Sequence, residues 1–153
     1  MMQVPLLDYI CSLKVELEQP LELGHGRAGT RRIIPIVGGS VEGERLRGRV
    51  LSLGADWQTV FQDGIAELDT RYTIETHDGA LIDIANFGYR HGPPAVMQAL
   101  ARGEDVAAER YYMRTQARLE TGDARYAWVN GTVFIGTGQR LAKAVLMDLY
   151  AVT

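Results

Sequence analysis

Seven residues in one short stretch have the functional groups that acid–base chemistry on a small molecule needs. Asp56, Gln58, Glu67, Asp69, Arg71, Asn86 and Arg90 fall on three alternating runs separated by Asp63-Gly64 and Asp78-Gly79. Carboxylates can move protons, guanidiniums can hold a developing oxyanion or a carboxylate, and amides can orient a ligand. Asp-Gly between period-2 runs is the strongest short-range hairpin signal, and it favours a two-residue turn. Two-residue turns at both corners set Gln58 opposite Asp69, Asp56 opposite Arg71 and Val60 opposite Glu67. They likewise pair Arg71 with Asn86, Glu67 with Arg90 and Asp69 with Gly88. Directly opposed residues share a face. The expected rows are therefore Asp56/Arg71/Asn86, Gln58/Asp69/Gly88 and Val60/Glu67/Arg90, and a slip of one residue in either hairpin would scatter them.

The opposite face reads Trp57, Leu68, Tyr72, Ile74, Leu81, Ala85, Phe87 and Tyr89. Two arrangements satisfy this pattern. In one, the apolar face is the core and the charged face is wetted, as in many antiparallel sheets. In the other, the charged face lines a lumen and the aromatic face packs on a second layer or a partner subunit. Inside a lumen, desolvation would raise the pKa of Asp69 and Glu67 while Arg71 or Arg90 lowered it.

Other polar groups are less specific. Arg114, Gln116, Arg118 and Glu120 alternate with apolar residues and read as a solvated face, although Arg114 follows two tyrosines and could close a pocket. Tyr126, Trp128 and Asn130 would share one face of a strand, giving an indole and an amide as a platform for a flat oxygenated ligand. Equally, Asn130-Gly131 could be a hairpin corner. Gly24-His-Gly-Arg-Ala-Gly29 matches G-x-G-x-x-G, but the strand-like RRIIPI follows where a dinucleotide site needs a helix. No cofactor is expected. His25, His77 and His91 share no metal-ligand spacing, so no metal is expected either; His91, beside Arg90, could reach a barrel mouth as a proton carrier. No serine has a plausible triad constellation.

The elements that would position these groups are strands. Alternation marks 13–17, an apolar run at 31–39 ending in a Gly-Gly bend, and further strands at about 45–53, 57–62, 65–76, 80–89, 111–120, 125–136 and 143–152. One helix stands out, from Pro93 to Arg102, with prolines in its first turn and Gly103 in the stop position. The expected fold is mainly β: a single antiparallel β-barrel of roughly eight to ten strands over residues 1–153, with one short helix capping a mouth. The 17 glycines favour a barrel, because curling strands need bends and bulges.

With 16 basic and 19 acidic residues, the chain has no general attraction for nucleic acid or anionic lipid. No apolar run approaches the roughly 20 residues of a membrane span, and the N-terminus lacks a signal-peptide pattern, so a cytoplasmic location is expected. The single cysteine, Cys11, reads as core filler.

Taken together, RRIIPIVGG (31–39), GADWQ (54–58), DGIAELDTRYTIETHDGALI (63–82), the N-x-G-x-R-HGP run from Asn86, YYMRTQARLET (111–121) and YAWVN (126–130) resemble the uncharacterised protein family 0311, also called domain of unknown function 3237. The resemblance implies a small antiparallel β-barrel. It points to polar positions at Asp56, Trp57, Gln58, Asp69, Arg71, Asn86, Arg90, Arg114, Thr115, Glu120, Trp128 and Asn130, which favours a lined lumen. Trp57 does not fit: it falls on the other face of the expected register.

The resulting expectation is a small-molecule-binding barrel, a cofactor-independent lyase, isomerase or cyclase that moves protons on an oxygenated, partly aromatic or polyketide-like metabolite. Asp69, Arg71 and Arg90 would be catalytic, and Asp56, Gln58, Glu67, Asn86, Arg114, Glu120, Trp128 and Asn130 would bind the ligand. The alternative is a non-catalytic carrier or sensor. The aromatic face of Trp57, Tyr72, Phe87 and Tyr89 makes a homodimer a further expectation.

Overall fold

A computed structural model describes all residues, 1–153. Nine strands occur in it: β1 (Leu7–Leu17), β2 (Leu21–His25), β3 (Thr30–Glu42), β4 (Gly48–Val60), β5 (Ala66–Thr76), β6 (Leu81–His91), β7 (Tyr112–Glu120), β8 (Phe134–Arg140) and β9 (Ala144–Val152). All neighbours are antiparallel in the order β1-β9-β8-β7-β6-β5-β4-β3-β2, and β1 also pairs with β3. That last pairing closes an eight-stranded barrel, leaving β2 as an extra strand on β3. The expected fold class is therefore found. The sequence-based strands at 45–53 and 57–62 are one strand, and the Gly38-Gly39 pair does not end β3 but lies where its register against β4 shifts.

The helix α1 spans Pro94–Ala101, with prolines at its start and Gly103 just beyond the Arg102 cap at φ +81°. It belongs to the connection between β6 and β7. That connection lies at the end of the barrel where β6 finishes, and it contributes buried Val96, Val106 and Tyr111 to the core.

The expected strand over 125–136 is replaced by a 3-10 segment, Ala124–Gly131, kinked at Tyr126 (φ −119°, ψ 17°) into two short helical pieces and followed by β8. The Asp123 side chain caps it by accepting the Arg125 backbone N–H at 3.0 Å. It sits at the opposite end of the barrel, where Tyr126 and Val129 are buried.

Both Asp-Gly corners are three-residue loops. Phe61 pairs with Ile65 and Thr76 with Ala80, with Gly64 and Gly79 at φ +91° and +90°. A type I turn followed by a left-handed residue produces this loop, and glycine takes that residue's conformation at no steric cost. Each hairpin is thus shifted by one residue from the two-residue expectation. Asp56 lies opposite Thr70, which lies opposite Asn86; Ala66 lies opposite Arg90.

The even residues of β5 consequently point inward: Leu68, Tyr72 and Ile74 are buried, while Asp69 and Arg71 are exposed. The lumen is filled unevenly. One end is packed with Cys11, Leu13, Val41, Ile74, Ile82, Leu119 and Phe134. Removing a side chain such as Phe134 from water stabilises the fold by roughly 1.5–3 kcal/mol. Burial pushes the Cys11 thiol up to about 12, which fits an inert core cysteine. The other end holds the polar residues.

Candidate functional site

The polar end is assembled from the inward-facing positions of several strands. Asp56 and Gln58 come from β4, Thr70 from β5, Asn86 and Arg90 from β6, and Thr115 from β7. Arg32 at the start of β3 and Arg140 at the end of β8 join them, because antiparallel pairing brings the start of one strand and the end of the next to the same end of the barrel. Asp56, Thr70, Asn86, Arg90, Thr115 and Arg140 line one cavity together with Ile34, Leu68, Met113 and Met147. The cavity measures about 40 Å³, room for about three water molecules.

Few of these polar atoms are satisfied by one another. Asp56 is the best held: its Oδ1 accepts the Asp69 backbone N–H at 2.9 Å and its Oδ2 accepts from Gln58 Nε2 at 3.1 Å. Burial nevertheless raises the Asp56 pKa, outweighing those hydrogen bonds and the positive charge of Arg90. Arg90, 7% exposed, has its pKa lowered first by burial and then by Arg32, with Asp56 opposing both. Four buried atoms have no hydrogen-bond partner: Arg32 Nε, Gln58 Oε1, Asn86 Oδ1 and Arg90 Nε. An orphaned buried polar group costs about 1–3 kcal/mol, so four at one end of the barrel, two of them on the cavity-lining residues Asn86 and Arg90, are an expensive arrangement for a merely structural interior.

The expected site residues divide between lumen and surface. Asp56, Gln58, Asn86 and Arg90 do share the lumen, because two one-residue slips in successive hairpins cancel between β4 and β6. The β5 residues Glu67, Asp69 and Arg71 are corrected to the outer face, since each slip inverts β5 relative to its neighbours. Asp69 and Arg71 instead border an open outer groove of about 570 Å³, with Phe87, Gln116, Arg118 and Asn130 among its other walls.

Arg114 and Glu120 are exposed on the outside of β7, and the Arg114 guanidinium lies 5.5 Å from the Tyr112 ring. Trp128 and Asn130 are at the apolar end, away from the lumen site. Arg45 covers the Trp128 indole at 3.8 Å, and the Asn130 amide clamps the Thr121 backbone, accepting from its N–H and donating to its carbonyl, both at 2.9 Å. His91 is exposed and stacked on Tyr112 at 4.6 Å, outside the lumen. Trp57 faces outward, half-buried.

Arg32, Thr70 and Arg140 were not anticipated. Arg32 shares parity with the apolar Ile34 and Ile36 in RRIIPI, a signal for an inward charge. Thr115 was implied only by family resemblance.

Several proteins share this architecture and sequence. The UPF0311 protein of Rhodopseudomonas palustris is 38% identical over 144 residues, 94% of each chain. A β-barrel-like protein from Acinetobacter baumannii, known from its crystal structure, is 44% identical with a TM-score of 0.89 over 100% of this chain and 99% of that one. An enzyme from Penicillium herquei, covered to 98% by the whole of this chain, matches at TM-score 0.76 and 18% identity, a likeness of fold alone. The model of the family described as "Protein of unknown function (DUF3237)" matches residues 5–152, and the chain therefore belongs to that family.

Proposed function

We propose that the polar end of the lumen binds a small oxygenated metabolite and catalyses a proton transfer on it without a cofactor, as in an isomerase, lyase or cyclase. The observation that carries this reading is the set of four unpartnered buried atoms on Arg32, Gln58, Asn86 and Arg90. Two of them, Asn86 Oδ1 and Arg90 Nε, belong to residues that line the cavity and offer a ligand one acceptor and one donor.

Asp56 takes the acid–base role that the sequence assigned to Asp69. A carboxyl group with a raised pKa is a better base than an ordinary carboxylate once ionised, and a usable acid once protonated. In an isomerisation, an Asp56 oxygen would take a proton from a carbon next to a carbonyl. The C–H electron pair would move into an enolate, whose oxygen Arg90 would stabilise, and Asp56 would return the proton to a second carbon. Gln58 positions Asp56, and Asn86 would orient the ligand.

The test is a metabolite panel of enolisable carbonyl compounds assayed with Asp56→Asn, Arg90→Gln and Asp69→Asn proteins. Loss of turnover in the first two and its retention in the third is the expected result. A tightly held compound recovered unchanged, with no turnover of any panel member, would instead favour a carrier.

A further inference from the structure

The charges around the cavity specify more than a generic oxygenated ligand. Arg90 and Arg140 both line it, and Asp56 is the one carboxylate among its lining residues. A third guanidinium, that of Arg32, stands close enough for its charge to act on both of the others; on its outer side it faces Glu22 at 3.7 Å. With Asp56 ionised, the lining therefore carries a net charge of about one positive unit. Arg90 has no carboxylate within ion-pair distance, and its Nε has no partner although the residue is 7% exposed. Neither does Arg140 make an ion pair.

Like charges gathered in a poorly solvated space are costly, and the cost is visible in Arg140. Burial and the neighbouring Arg90 and Arg32 pull its pKa down to about 10. Its place is nonetheless fixed: the Arg140 backbone N–H donates to the Tyr111 hydroxyl at 2.7 Å, tying the end of β8 to the β6–β7 connection. A bound anion would offset this repulsion and give the Arg90 Nε an acceptor. A planar carboxylate suits guanidinium forks, which bind it with two parallel hydrogen bonds. A phosphate dianion suits the site less well, since it would exceed the positive charge available and lie close to Asp56.

We infer that the lumen site takes a ligand bearing a single carboxylate, held between Arg90 and Arg140 with its carbon skeleton directed toward Asp56 and Asn86. This specifies the substrate class of the proton-transfer reading and rests on that reading for its catalytic meaning, although binding can be measured without it.

The experiment is isothermal titration of the protein with a monocarboxylate series from formate through acetate to propionate, sized to the cavity, with the matching amides and inorganic phosphate as controls. Carboxylates should bind in preference to their amides and to phosphate. Arg140→Gln should weaken carboxylate binding roughly tenfold to a hundredfold, the loss expected for one charge-assisted contact. Arg140→Lys, which keeps the charge but not the fork, should fall between, and thermal melts of both variants report whether the barrel remains folded. Equal affinity for acids and amides, or unchanged carboxylate affinity in a folded Arg140→Gln protein, would overturn the inference. The two proposals fail separately. Carboxylates that bind but are never turned over would remove the catalytic reading alone, whereas turnover of neutral compounds with no preference for carboxylates would remove this one alone.

Discussion

The backbone N–H of Asp69 donates to the side chain of Asp56 at 2.9 Å, so two carboxylates on adjacent strands stand on opposite sides of one wall. The Asp56 carboxylate is inside and buried; that of Asp69 is outside and exposed. Desolvation raises the pKa of the inner group. The pair separates a buried environment from a solvated one across a single hydrogen bond.

Asp56→Asn should stabilise the protein at neutral pH. A carboxyl group with a raised folded-state pKa costs no stability below its unfolded value, near 3.9, and the cost grows as pH rises through the folded value. A neutral amide avoids that cost and can still accept the Asp69 N–H. An increase in Tm of about 2–4 °C at pH 7, shrinking toward pH 4, is the expected result, corresponding to ~1 kcal/mol in a chain of this size. Asp69→Asn should shift Tm by less than about 1 °C at either pH, as for most exposed substitutions. Thermal melts across that range decide the matter, and a lower Tm for Asp56→Asn at neutral pH would show that its attraction to Arg90 outweighs its desolvation.

What the sequence revealed of the site depended on parity. Asp56 and Gln58 share parity on β4, as do Asn86 and Arg90 on β6, and their common face survives any equal pair of hairpin slips. The β5 residues had no such protection. Asp-Gly is compatible with both two- and three-residue loops, and the choice between them rests on tertiary packing: burying Leu68, Tyr72 and Ile74 inside the barrel requires the longer loop. Arg140 was missed because alternation in Tyr126, Trp128 and Asn130 imitated a strand and displaced β8 toward the N-terminus. The cue against it was Asp123, a helix-capping residue just upstream.

Glycine positions should separate turn requirements from packing requirements. At Gly64 an added Cβ meets nothing within 4 Å, so Gly64→Ala costs only the left-handed backbone, about 1 kcal/mol. At Gly88 the same Cβ would press on the Arg114 carbonyl and come within 2.7 Å of the Thr115 Cα, both backbone atoms of β7. Overpacking against backbone has no rotamer to relieve it, so Gly88→Ala should cost about 3 kcal/mol or leave no folded protein. Urea denaturation of the two variants gives the comparison, and equal midpoints would contradict it.

Asn130 should prove structural. Its amide satisfies both backbone groups of Thr121, and Asn130→Ala would leave them unpaired at a cost of about 1–3 kcal/mol. Because this clamp lies at the apolar end, affinity for any lumen ligand should be unchanged in protein that remains folded. Denaturant midpoints combined with ligand titration test both halves, and a loss of affinity without a loss of stability would return Asn130 to the binding site.

Acid should loosen the apolar end of the barrel first. Asp78 accepts hydrogen bonds from Thr76 Oγ1 at 2.6 Å and from the Tyr126 hydroxyl at 2.7 Å, and Arg125 joins it to Asp123. Those hydrogen bonds hold the Asp78 carboxyl below its usual range, and Arg125 holds Asp123 at about 2. For a carboxyl lowered in the folded state, the stabilisation is complete above its unfolded pKa and disappears as pH falls through the folded value. The contribution should therefore be intact at pH 5 and fade between about pH 4 and pH 2. The kinked 3-10 segment Ala124–Gly131 depends on this cluster, whereas at the polar end the buried Asp56 carboxyl shifts the other way. Hydrogen exchange read along a pH series should show the backbone amides of residues 124–131 losing protection before those of β4 and β6 at the polar end. An Asp123→Asn, Asp78→Asn double variant should show that early loss already at pH 6. Simultaneous loss at both ends in the unsubstituted protein would mean that the cluster does not control local opening.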